Sequence, residues 1–175
     1  MFLMKRLFCL AAIAAALMGQ SVSAEAAGVE LSVGQTGEST MTYRLGLQFD
    51  WDKSWLQSDV GRLTGYWGGG YTYWAGRHGA SNNSLSFSPV LVYEFSGQNV
   101  KPYVEAGIGV AVFSGTRVEN QQLGTSFLFE DRLGFGLRFA GGHEVGVRAT
   151  HYSNAGLNDV NSGVESYALH YTMPF

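Results

Sequence analysis

The sequence predicts an all-β protein: an eight-stranded antiparallel transmembrane barrel of the outer-membrane type. Three observations carry that expectation. The chain begins with an export signal. Its composition is aromatic-rich and charge-poor, at 14% each where soluble domains carry about 25% charge. Beyond the signal, large apolar residues recur with the two-residue period of strands, and no stretch is long enough for a spanning helix.

The signal is legible in order. Lys5 and Arg6 precede the apolar run CLAAIAAALMG, and Val22-Ser23-Ala24 supplies small residues for cleavage. Residues 1–24 are therefore expected to be removed, with cleavage after Ala26 as the second option, leaving 25–175 as one barrel domain. The run is too short for a membrane anchor. Cys9, the only cysteine, lies inside it, which argues against a lipoprotein anchor and leaves a mature chain without disulfides. Losing Lys5 and Arg6 takes the 11 basic residues to 9 against 14 acidic, a net charge of −5. No basic run remains, so nucleic acid is not an expected partner.

Eight segments alternate. The first, near 28–36, sets Val29, Leu31 and Val33 on one face. The second, MTYRLGLQFDW, opposes Tyr43, Leu45, Leu47, Phe49 and Trp51 to Thr42, Arg44, Gly46 and Gln48. The third, RLTGYWGGGYTYW, opposes Leu63, Trp67, Tyr71 and Tyr73 to Arg62, Thr64, Gly68 and Gly70. The fourth, SLSFSPVLVYEF, opposes Leu85, Phe87, Leu91, Tyr93 and Phe95 to Ser84, Ser86, Ser88 and Glu94. The fifth, VKPYVEAGIGVAV, opposes Val104, Ile108, Val110 and Val112 to Lys101, Glu105, Gly107 and Gly109. The sixth, TSFLFEDRLGFGLRF, opposes Phe127, Phe129, Leu133, Phe135, Leu137 and Phe139 to Glu130, Arg132, Gly134, Gly136 and Arg138. The seventh, EVGVRATHYS, opposes Val145, Val147 and Ala149 to Glu144, Gly146 and Arg148. The eighth, VESYALHYTMPF, sets Tyr167, Leu169, Tyr171, Met173 and Phe175 on one side.

The bulky apolar face overfills a small barrel's interior, whereas the face of Gly, Ser, Arg and Glu fits it. A lipocalin-like soluble barrel would need the reverse arrangement. Closure leaves no backbone group unpaired in lipid. An even strand count puts both termini on the periplasmic side. Short links at 96–99 and 140–143 are then periplasmic turns, and GTRVENQQLGT and NAGLNDVNSG face outside. The long link at 52–60 has no account in this scheme.

The stretch RATHYSNAGLNDVNSGVES, residues 148–166, interrupts the apolar stripe. His151 and Ser153 continue the outward parity of Val145, Val147 and Ala149, and Glu165 continues that of Tyr167 and Leu169. All three fall near the outer rim. A hairpin setting Ser153 opposite Glu165 makes His151 and Glu165 diagonal neighbours. Asp131 shares the outward parity of Phe129 and Leu133 and falls opposite His151 or Ser153. A bulge could instead turn it inward, so its supporting role stays open.

A polar cluster facing lipid is costly unless it functions. Serine becomes a nucleophile when an imidazole takes its proton, and the imidazole needs a carboxylate to fix its tautomer. The expected roles are Ser153 as nucleophile, His151 as base and Glu165 as orienter, for acyl transfer. Asn154, Gly156 and Asn161 are the nearest oxyanion donors. His170 has lumenal parity, and His78 and His143 lie in or near links. Metal-ligand spacings and nucleotide fingerprints do not appear.

HYSNAGL, Asn161 and Gly163-Val164-Glu165 resemble the lipid A deacylase PagL family. TYRLGL, LTGYW, EAGIGVA, FSGTRV and FEDRLG extend the resemblance over nearly the whole mature chain. It implies an outer-membrane serine hydrolase that removes the 3-O-linked acyl chain of lipid A in lipopolysaccharide. His151, Ser153 and Glu165 match the family's catalytic residues and Asn161 its oxyanion donor. It further implies no metal or other cofactor, lipid A and outer-membrane lipids as partners, and a homodimer in some members. Two rival functions remain: a non-enzymatic barrel or adhesin, and an acyltransferase or phospholipase on the same scaffold.

Overall fold

The computed structural model describes residues 27–175. The expected signal and Cys9 lie outside the described residues. In chain order the strands are β1 Ala27–Thr36, β2 Met41–Asp50, β3 Gly61–Ala75, β4 Asn82–Phe95, β5 Val100–Phe113, β6 Arg117–Val118, β7 Gln121–Gln122, β8 Phe127–Phe139, β9 Glu144–Ser153 and β10 Val164–Pro174. Eight of them close into an antiparallel barrel in the order β1-β10-β9-β8-β5-β4-β3-β2. β6 and β7 form a two-stranded ribbon within the β5–β8 link. Each expected segment is a barrel strand, with boundaries moved by a few residues.

The polarity is inverted relative to a soluble barrel. Leu31, Leu85, Leu133 and Phe135 are each more than half exposed on the outer face, while Glu30, Glu105, Glu130, Arg132 and Arg148 are buried inside. Such an exterior suits hydrocarbon and such a lumen does not empty onto it. The lumenal charges are paired. Arg148 binds Glu30 at 2.7 Å and also binds Glu105, Arg44 reaches Glu30 at 3.1 Å, and Arg132 binds Glu130. Tyr66 and Tyr152 donate hydroxyl protons to Glu105 and Glu130 at 2.7 and 2.8 Å. A buried charge left unpaired is costly, so these partners are what allow the charges inside.

The interior is not only small and charged. Trp74, Phe113 and Tyr152 cluster with ring centroids 5.3 to 5.6 Å apart, Tyr152 edge-on to the other two and Trp74 tilted against Phe113. With Leu128, and with Val118 and Leu123 from the β5–β8 link, they plug the lumen at the end away from the termini. The inward parity of Trp74 beside Thr72, and of Phe113 beside Ala111, already encodes this plug. On the loops above it, Glu119 accepts hydrogen bonds from the backbone N–H groups of Arg77 and His78. Those bonds hold its carboxyl below the ordinary range and tie the β3–β4 link to the β5–β8 link.

The short links 96–99 and 140–143 lie at the end that carries the termini. The long links 114–126 and 154–163 lie at the other end. The link at 51–60 also has a structural reason. Trp51 donates its backbone N–H to Gly65 O, and Trp55 pairs with Leu63 at 2.7 and 2.8 Å. The link thus folds back against β3. A Cβ at Gly65 would lie 2.3 Å from the Trp51 ring, so glycine makes room for it. Trp51 packs edge-on against Trp55 and Trp67, which stacks on Phe87 and is buried although it faces outward.

Candidate active site

β9 positions the site by parity alone. After Val145, Val147 and Ala149, its outward face carries His151 and then Ser153, where the strand ends. β10 begins at Val164, and its first outward residue is Glu165. The register differs from the expected one by two residues. His151 lies directly opposite Glu165, and Ala149, rather than His151, lies opposite Tyr167. The β9–β10 link leaves immediately after Ser153, so no partner on β10 reaches Ser153. The direct pairing gives a short contact: the His151 Nδ1–H donates to Glu165 Oε1 at 2.9 Å. That bond fixes the tautomer and leaves Nε2 as an acceptor. The two side chains are 42% and 49% exposed. Ser153 Oγ, on the same face two residues along, stands outside this bond. In unliganded sites catalytic hydrogen bonds are often long and tighten only when substrate binds.

β8 flanks the other side, with Asp131 opposite His151 and Phe129 opposite Ser153. The ladder is continuous through Asp131, so no bulge turns it inward, and the residue is exposed. The imidazole therefore lies between two carboxylates but is bonded to Glu165. Asp131 acts on it only as an exposed neighbouring charge, an interaction of about 0.2–1 kcal/mol. Asp131→Asn should slow the acyl-transfer chemistry expected of these residues by less than about fivefold, measured as initial rate of acyl release.

The loop after Ser153 is built around Asn154, which is fully buried. Its Nδ2 donates to Leu123 O at 3.0 Å and Val160 O at 2.8 Å, and its Oδ1 accepts from Gly156 N at 2.9 Å. Both of its amide hydrogens and the Gly156 N–H are thus committed to the loop. Asn161 accepts from the Asn154 backbone N–H at 3.0 Å through Oδ1, which orients its Nδ2 group as a donor. Of the three expected oxyanion donors, Asn161 alone keeps a donor outside the loop's own bonds.

Sequence reasoning missed a groove below these residues. It is apolar, about 570 Å³, and lined by Val104, Leu133, Phe135, Val147, Ala149 and Tyr167. Its cause is a small residue between two large ones: Ala149 pairs with Leu133 on one side and Tyr167 on the other. Ala149 and Tyr167 are the residues next below His151 and Glu165 on the outward face, so the groove runs up to the polar cluster. The other histidines stay apart. His170 is lumenal beside Arg148 and Tyr103, and His143 lies within hydrogen-bond distance of Tyr171 at the opposite end.

Residues 41–174 match the family described as lipid A 3-O-deacylase (PagL). A protein of Pseudomonas aeruginosa, "Lipid A deacylase PagL", is 62% identical over 172 residues, covering 98% of this chain and 99% of that protein. A second, from Bordetella bronchiseptica, bears the same name and is 40% identical over 73 residues, covering 42% of this chain and 41% of its own length. A crystal structure of "the outer membrane enzyme PagL" superposes with a TM-score of 0.83 at 64% identity, covering 85% of this chain and 99% of that one. With the family matched across most of the chain and the same barrel beneath it, this chain belongs to the lipid A 3-O-deacylase (PagL) family.

Proposed function

We propose that this chain is an outer-membrane serine esterase that hydrolyses the 3-O-linked acyl chain of lipid A, with Ser153, His151 and Glu165 as its triad at the outer-leaflet rim. The observation that carries the reading is the 2.9 Å His151–Glu165 hydrogen bond on the outward face, with Ser153 beside it and an apolar groove leading to it. Triads in soluble enzymes face a water-filled cleft. A triad beside a membrane-facing groove suits a substrate whose acyl chains lie in the bilayer. The acyl chain would run along Ala149 and Val147, with the ester held level with His151.

The steps follow. Ser153 Oγ attacks the ester carbonyl while His151 Nε2 takes its proton, and Glu165 stabilises the resulting imidazolium. Asn161 Nδ2 donates to the tetrahedral oxyanion. Collapse breaks the ester C–O bond, and His151 returns the proton to the departing sugar hydroxyl. Water, deprotonated by the same Nε2, then releases the fatty acid and restores Ser153. His151, Ser153 and Glu165 lie where β9 and β10 meet the outer link, so water outside the bilayer has a path to the acyl-enzyme, which favours hydrolysis over transfer to another lipid. A homodimer, which the family resemblance implies, would have to use a part of the apolar exterior that leaves β8, β9 and β10 open to lipid.

Mass spectrometry of lipid A from cells making the protein tests the reading. Loss of one hydroxyacyl chain is expected. A gain of acyl mass would mark an acyltransferase, and unchanged lipid A a non-enzymatic barrel. Glu165→Ala is expected to keep about two orders of magnitude more activity than Ser153→Ala, because the orienting carboxylate is the least indispensable member of a triad.

A further inference from the structure

The β9–β10 register places a glycine where a side chain would meet the imidazole. Val164 pairs with Tyr152, so one step further Gly163 lies abreast of Ser153. Gly163 is buried with a φ of +68°, and a Cβ on it would stand 2.9 Å from Cε1 and 3.6 Å from Nε2 of His151, and 3.2 Å from Tyr152 O. Carbon atoms do not pack at 2.9 Å, so the ring would have to move. On its other side the ring is tied through Nδ1 to Glu165. The imidazole is thus held between the carboxylate and a bare α-carbon. Its Cε1–Nε2 edge lies over Gly163, towards the space abreast of Ser153.

We propose that Gly163 is a positioning residue of the esterase reaction: its missing side chain seats the His151 ring and keeps open the space where the ester carbonyl meets Ser153. The inference rests on the triad reading. Any side chain at 163 would push Nε2 off the line to Ser153 Oγ or strip Nδ1 from Glu165. A displacement on the order of 1 Å in such a constellation costs about 100-fold in rate. The groove proposed to receive the acyl chain lies on the other side of His151, so the acyl-chain contacts that dominate binding are untouched.

Full-length Gly163→Ala, Gly163→Asn and Ser153→Ala, folded in detergent, are compared with the parent in two assays. One is acyl release from lipid A, and the other is covalent labelling of Ser153 by a fluorophosphonate, which needs His151 but not lipid A. Gly163→Ala is expected to lose about 100-fold in kcat and in labelling rate, with KM changed less than about twofold and heat-modifiable migration retained. Gly163→Asn is the discriminating variant. Asparagine accepts left-handed backbone but carries the same Cβ, so it should be as impaired as alanine. Recovery with asparagine would assign the loss to backbone strain and overturn the proposal. Parent-like kcat in Gly163→Ala, or loss of the folded band in both variants, overturns it as well. Activity in Ser153→Ala is a separate result, which removes the triad reading itself.

Discussion

Ser153→Ala is expected to lose lipid A deacylation by about 10⁴-fold or more in kcat while the barrel folds as before. The catalytic half of that statement follows from the proposed mechanism: without Oγ no acyl-enzyme forms, and what remains is activation of water by His151 with oxyanion stabilisation by Asn161. The folding half follows from position. Ser153 is the last residue of β9, half-exposed, with its side chain outside the lumenal network. Removing one hydroxyl there strands no buried partner. His151→Ala should be equally inactive and equally folded, since the ring faces outward and its one hydrogen bond is to an exposed carboxylate. The check pairs lipid A mass spectra with heat-modifiable migration of each variant. Deacylation by folded Ser153→Ala protein would end the assignment of the nucleophile.

The ease of separating catalysis from folding has a common root with the legibility of the sequence. In a strand the side chain's direction is fixed by parity, so His151, Ser153 and Glu165 could be assigned to the outward face from sequence, whereas Asp131 needed the continuous β8 ladder to exclude a bulge. Register is different. It depends on where the β9–β10 link departs, and a link running from Asn154 to Gly163 does not announce which residues face each other across it. The direct pairing of His151 with Glu165 therefore emerges only from the folded ladder, and so does the notch at Gly163. The apolar groove was hidden for a related reason. Ala149 reads as one more apolar residue in the stripe, and its smallness matters only once Leu133 and Tyr167 stand beside it. Asn154 illustrates the opposite failure. Its residue type suggests a donor to substrate, but its contacts with Leu123, Val160 and Gly156 make it the organiser of the loop.

Arg148→Met is expected to destabilise the barrel by about 3–5 kcal/mol, the cost of breaking a buried ion pair by removing one partner. One guanidinium serves several groups: Glu30 at 2.7 Å, Glu105, and the Tyr66 hydroxyl at 3.1 Å. After the substitution Glu30 keeps Arg44, but Glu105 is left buried with the Tyr66 hydroxyl as its remaining bonded partner. Methionine fills the volume without supplying a charge, so the loss reads the electrostatic effect rather than a cavity. Adding Glu105→Gln removes the stranded charge and should recover a good part of the stability, which a packing defect would not permit. Urea unfolding of the barrel in lipid vesicles, followed by tryptophan fluorescence, gives both numbers. A parent-like midpoint for Arg148→Met would mean that the lumen is wet enough to solvate Glu105 without a cation. The consequence reaches the outer face as well, because Arg148 sits on β9 three residues before His151. The lumenal ion pairs of Arg148 tie β9 to β1 and β5 across the barrel, and so brace from inside the strand on which His151 meets Glu165. A barrel loosened at Arg148 should therefore lose deacylation on heating before a barrel that is merely inactive at Ser153 loses its fold.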